Sequence, residues 1–95
     1  MYIVRRTKVF ERSLRRLNRS GKIKQSTIDT FDYVVNALAK GAVLDMHFKD
    51  HALRGEYEGM RECYIQSDLL LVYKIESGSI FLVLVNIGSH SQIFG

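Results

Sequence analysis

The chain has 95 residues, 46% of them apolar, with no proline, one cysteine and a formal net charge of +4. That length suits a single domain over residues 1–95 with one modest core, and the lone Cys63 excludes an internal disulfide and any multi-cysteine metal site. No apolar run approaches the roughly 18 residues of a membrane span, and Met1-Tyr2-Ile3-Val4-Arg5-Arg6 lacks the apolar centre of a secretory leader, so a reducing cytosol is the expected setting.

Residues 2–6 read as a short opening strand. Thr7 is placed to cap a helix running to about Ser20, with Phe10, Leu14 and Leu17 at helical spacing and Arg12, Arg15, Arg16 and Arg19 on the remaining face. Gly21 ends it. Ser26 with Asp29 three residues on is a capping signature for a second helix to about Lys40, whose buried stripe would be Ile28, Phe31, Val35 and Leu38, with Gly41 as its stop. Residues 42–59 show no period and read as loop. Met60–Ile65, Leu69–Glu76 and Ser79–Ile87 read as strands, joined by turns at Gln66-Ser67-Asp68 and Ser77-Gly78. Helices gathered ahead of strands predict an α+β fold: a helical hairpin on one face of an antiparallel sheet of about four strands, in the order β-α-α-β-β-β. The last strand, Ile80-Phe81-Leu82-Val83-Leu84-Val85, is apolar on both faces, so its outer face is covered by the C-terminal tail or by a partner.

The charge is unevenly placed. Residues 1–24 carry nine basic groups against one acid, Glu11, and the other 71 residues carry five against nine. A solvated helix face accounts for part of this, but the imbalance suits a polyanionic partner, because Lys and Arg contacts to phosphate supply most sequence-independent affinity for nucleic acid.

Three histidines could carry chemistry: His47, His51 and His90. His51 follows Lys49-Asp50 in the loop and His90 follows the last strand in Gly88-Ser89-His90, where loops present side chains on a rigid scaffold. His47 and His51 are four apart, yet their segment does not read as helix and no third ligand follows, so neither a metal nor a cofactor is expected. On the strand Met60–Ile65, alternation puts Cys63 and Ile65 inward and Glu62 and Tyr64 outward, with Asp68 in the next turn. Two acids, a phenol and two imidazoles would then converge on an open sheet face.

Four segments in series carry a resemblance: Asp50-His51-Ala52-Leu53-Arg54-Gly55, Arg61-Glu62-Cys63-Tyr64-Ile65, Asp68-Leu69-Leu70-Leu71-Val72-Tyr73, and Gly88-Ser89-His90 with Phe94. In order and spacing over residues 48–95 they resemble the YafQ branch of the RelE/ParE superfamily, toxins of type II toxin–antitoxin modules that cleave messenger RNA on the ribosome. The resemblance implies a RelE-like fold and metal-independent cleavage, in which the ribose 2′-OH attacks its own 3′-phosphate and expels the next 5′-oxygen. It implies catalytic roles for His51, Glu62, Asp68 and His90, and RNA contacts at Tyr64, Asn86 and Phe94 beside those expected of Arg12, Arg15, Arg16 and Arg19. The implied partners are a cognate antitoxin, messenger RNA and the ribosome, with operator DNA met only through the antitoxin complex and no membrane. Two positions depart from the family pattern, Tyr64 where a His is common and Asn86 where an Arg is common. Loss of a cation at the scissile phosphate removes about 2–4 kcal/mol of transition-state stabilisation. Two other readings stand beside the first: a non-enzymatic ParE-like inhibitor of DNA gyrase, and a toxin weakened in catalysis that acts through antitoxin binding.

Overall fold

In the computed structural model, which describes residues 1–95, Thr7 joins a first strand, β1 (Ile3–Arg6), to a helix, α1 (Lys8–Ser20). Its hydroxyl accepts from the Phe10 N–H at 3.0 Å and donates to the Val85 carbonyl at 2.7 Å, so one side chain caps the helix and ties it to the far end of the sequence. Gly21, at φ 69°, ends α1 in the left-handed conformation that only glycine adopts without cost.

The second helix, α2 (Gln25–Ala39), begins a residue before the expected Ser26 cap. Lys24 occupies the cap position with no side-chain bond, and Asp29 accepts instead from the Gln25 side chain at 2.9 Å. Its buried residues are Thr27, Val34 and Leu38, with Phe31 and Val35 partly buried. Ile28, expected in the stripe, is 40% exposed and lines the rim of the cleft between the helices.

Five strands form the sheet, one more than expected. β2 (His51–Ala52), β3 (Arg61–Gln66), β4 (Leu69–Ile75) and β5 (Phe81–Gly88) join β1 in the order β1-β5-β4-β3-β2. The extra strand, β2, lies in the segment read as loop, between short 3-10 turns at Met46–Phe48 and Gly55–Tyr57. Two residues cannot display an alternation, and β2 exists only through its antiparallel pairing with β3. The sheet is also mixed: β1 runs parallel to β5, while the other pairs are antiparallel. The connection between these parallel strands spans residues 7–80 and includes the helical hairpin and β2, β3 and β4, far beyond the dozen residues that a parallel crossover requires.

Apolar residues fill both faces. On the helix side Phe10, Val34, Leu38, Cys63, Leu71 and Tyr73 share a core with Leu82 and Leu84. On the other side Leu70 and Val72 pack under Ile93 of a short helix, α3 (His90–Phe94), with Val85 and Tyr64 alongside. The C-terminal tail is thus what covers the outer face of the sheet beside Val85. No helix is long and apolar enough to cross a membrane.

Candidate active site

The site builds outward from β2 and β3, where His51 is the register partner of Glu62. His51 Nε2 lies 2.9 Å from Glu62 Oε1, and Nδ1 lies 2.6 Å from the carbonyl oxygen of Lys49. A carbonyl only accepts, so Nδ1 carries a hydrogen, and Nε2 and Glu62 hold one proton between them. The ring therefore has no free lone pair while this arrangement stands.

Glu62 departs from expectation. It lies on the outer face, as alternation predicted, but is only 5% exposed, and its Oε2 has no hydrogen-bond partner. The surface group of the pair is His51, with its side chain half exposed. The carboxylate is a buried support beneath an accessible imidazole.

Lys49, immediately upstream, has φ 53° and ψ 40°, a left-handed backbone that side chains rarely adopt. Its amine stands 5.5 Å from the ring centre of Tyr64. Asp50 faces the other way: its Oδ1 accepts from the Tyr73 hydroxyl at 2.6 Å and from Arg61 Nε at 3.3 Å. Burial, followed by that bond and the charge of Asp50, raises the Tyr73 phenol well above its ordinary range. Burial also pushes the Cys63 thiol up to about 12, with the charges of Asp50 and Glu62 adding to it.

The second histidine is held differently. Ser89 caps α3, its hydroxyl accepting from the Gln92 N–H at 3.2 Å while the Gln92 side chain accepts from the Ser89 N–H at 2.9 Å. Asp68 Oδ1 accepts from the His90 backbone N–H at 3.0 Å, so the turn between β3 and β4 grips the start of α3. The His90 ring makes no side-chain hydrogen bond and sits 5.0 Å from the Phe94 ring, which meets Tyr57 edge-on at 5.0 Å. The Tyr57 hydroxyl donates to the Ile93 carbonyl at 3.2 Å. Gly88 permits this packing, since a Cβ there would lie 3.0 Å from Gln92 Oε1.

The outer face thus carries one histidine–carboxylate pair, His51 with Glu62, and a second histidine, His90, whose backbone alone is held by Asp68. Tyr64 is aligned with Leu70 and Gly88, one rung from the Glu62 row and about 7 Å along the strand, between the two histidines. Beside it opens a cleft of about 450 Å³, lined by Thr30, His47, Phe48, Lys49, Tyr64 and Gln66 among others.

The remaining predicted residues lie elsewhere. A bulge at Val85 turns Asn86 toward α1, where its Oδ1 accepts from the Ser13 hydroxyl at 2.7 Å and from the Ile87 N–H at 2.8 Å. Arg12, Arg15, Arg16 and Arg19 lie within about 100° of helix arc, opposite the buried Phe10 and Ser13. They are exposed, pair with no carboxylate, and stand on the far side of the sheet from the histidines. Sequence reasoning had no signal for Tyr57, which sits in a turn without periodicity.

A helical hairpin on one face of a mixed five-stranded sheet, with a short C-terminal helix on the other, sets the α+β class of this molecule. Residues 2–95 match the family described as "Bacterial toxin of type II toxin-antitoxin system, YafQ", and the chain belongs to that family. It is 33% identical over 48 residues to the mRNA interferase toxin YafQ of Escherichia coli K12, a match covering 50% of each chain. The alignments with curated relatives span half or less of those relatives' length. Among solved structures, a copper-bound mutant toxin from Helicobacter pylori is 33% identical, with 99% of this chain and 100% of that one covered and a TM-score of 0.86. The E. coli DinJ–YafQ complex shares the fold at 21% identity, 100% coverage of both chains and a TM-score of 0.82. No three His, Cys, Asp or Glu side chains of this structure come together as a metal-binding group.

Proposed function

We propose that this toxin is a messenger-RNA endonuclease that cuts on the outer sheet face and holds ribosomal RNA with the arginine face of α1. The observation that carries this reading is the pair of histidines on one face, His51 with its ring clamped on Glu62 and His90 with its ring free and its backbone held by Asp68. Cleavage through the 2′-OH needs a base with an available lone pair. His51 has none while its two nitrogens are engaged, so His90 takes the proton from the 2′-OH, and the proton held between His51 and Glu62 is available to the departing 5′-oxygen. In this scheme Glu62 acts through His51 and Asp68 through the placement of His90, so both are positioning residues. Phe94 and Tyr64 offer rings for unstacked bases, with Lys49 close to the phosphate path. The requirement for a 2′-OH restricts the reaction to RNA.

The partner is a cognate antitoxin in the cytoplasm, in keeping with the DinJ–YafQ complex, and operator DNA is met only through that complex. The decisive experiment is induction without antitoxin, with growth followed and cleavage mapped by primer extension on translated and untranslated messages. Growth arrest with cuts confined to translated messages is expected, and His90→Ala is expected to lower cleavage by about 10²–10⁴-fold. Arrest with DNA damage and intact messages would favour gyrase inhibition instead.

A second reading, a toxin weakened in catalysis, is favoured by Asn86, which is neutral and engaged by Ser13. Cleavage that appears only in Tyr64→His/Asn86→Arg would establish it.

A further inference from the structure

We propose that Asp50 is a further positioning residue of this site, coupling the buried core to the ring of His51 through its bonds to Tyr73 and Arg61. The inference rests on the reading of His51 as part of the reaction, but its geometry stands apart from that reading.

β2 is two residues long, with only His51 and Ala52 in register against β3. So short a strand does not fix the side chain it carries. Asp50 and His51 point to opposite sides of the sheet edge, as successive strand residues do. Asp50 reaches the helix side, where its Oδ1 meets the hydroxyl of Tyr73, a residue 2% exposed in the main core. Arg61 Nε closes on the same oxygen from β3. His51 reaches the outer side and meets Glu62.

The link between the two sides is the backbone of Lys49. Its carbonyl accepts from His51 Nδ1 at 2.6 Å, with the residue held at φ 53° and ψ 40°. A lysine does not stay in that region unless its surroundings impose it. The anchored carboxylate next in the chain adds to the hold of the 3-10 turn that Lys49 ends: with Asp50 pinned, the Lys49 carbonyl is aimed at Nδ1, and the ring's other nitrogen is presented to Glu62. Without it, residues 49–51 keep the Lys49 N–H bond to the Met46 carbonyl, the pairing of β2 with β3 and the His51–Glu62 contact, but lose the link to Tyr73 in the main core.

The test uses the full chain with 15N-labelled histidine. Ring nitrogen signals of the three histidines are recorded by NMR, with His51 assigned by its loss in His51→Gln. In the parent protein His51 is expected to show a protonated Nδ1 in slow exchange. In Asp50→Ala and in Tyr73→Phe, that signal is expected to move to the averaged position of a free imidazole. Asp50→Asn, which keeps an acceptor for Tyr73, is expected to restore it. RNA cleavage should fall by about 10²-fold in Asp50→Ala, with His51→Ala costing little more in that background. Tyr73→Phe removes one hydroxyl and keeps the ring packing, so it decides the matter if Asp50→Ala does not fold. Unchanged His51 ring signals in a folded variant would overturn the proposal. If the parent chain cuts no RNA, the proposed function falls, and the ring signals still decide the role of Asp50.

Discussion

Cys63 is fully buried on β3, and its thiol is raised to about 12 by burial and by the charges of Asp50 and Glu62. In the unfolded chain the same thiol titrates near about 8.5. The folded state therefore keeps a proton that the unfolded state has released, so this part of the stability is fully present below about pH 8.5 and is lost as pH rises toward 12. Tyr73 acts with the same sign at higher pH. Urea midpoints measured from about pH 7 to about pH 10 are expected to fall, and Cys63→Val should flatten the slope. The folded protein should also resist iodoacetamide near neutral pH, because the thiolate is the reactive form. At Gly88 the limit is space: Gly88→Ala sets a Cβ 3.0 Å from Gln92 Oε1, and a loss of about 1–3 kcal/mol is expected in urea unfolding, with α3 displaced. At this scale the sequence was only partly legible. Alternation named the face of Glu62, but alternation reports direction and says nothing about cover. Asp50-His51 stood out as a pair, yet its partner Tyr73 lies 23 positions away and no local pattern links them.

The helices follow from local signals because their determinants lie within a few residues of each other. Thr7, Gly21 and the Phe10-Leu14-Leu17 spacing define α1 as expected. The start of α2 escaped because Gln25 captured Asp29, a competition between two side chains that a capping pattern does not weigh. β2 and the flanking turns were illegible, since a left-handed lysine and a two-residue strand are imposed by β3 and the core. Two expectations belong to elements. The arginine face of α1 should set the salt dependence of RNA binding: replacing Arg12, Arg15, Arg16 and Arg19 by Gln is expected to reduce the log–log salt slope by about 2–3, equally for all sequences. Anisotropy titrations against salt measure this, and His90→Ala should leave the slope unchanged. In α3, five residues cannot persist without their caps. Ser89→Ala is expected to cost about 1 kcal/mol and to speed amide exchange at Ile93, whose N–H bonds the Ser89 carbonyl at 3.1 Å.

Across the whole molecule, the histidine face and the arginine face lie on opposite sides of one sheet. That division was legible in outline from the charge imbalance of residues 1–24. The parallel edge that completes the sheet was not, because the pairing of Ile3 with Phe81 depends on chain direction in space and leaves no local trace. Its contribution is testable. Ile3→Pro deletes the N–H that bonds the Ile80 carbonyl at 2.8 Å, and a loss on the order of 2–3 kcal/mol is expected. Circular dichroism and tyrosine fluorescence should shift together if the unit unfolds cooperatively. The same edge has a consequence in time. The only sheet partner of β1 is β5, and the bond from Thr7 to Val85 spans 78 positions, so the first strand to be synthesised waits for the last. A growing chain that has not reached residues 81–88 can hold the His51–Glu62 pair, but it lacks the edge on which β1 pairs. The order in which the polypeptide is made thus sets when β1 finds its place, which is only after residues 81–88 have been added.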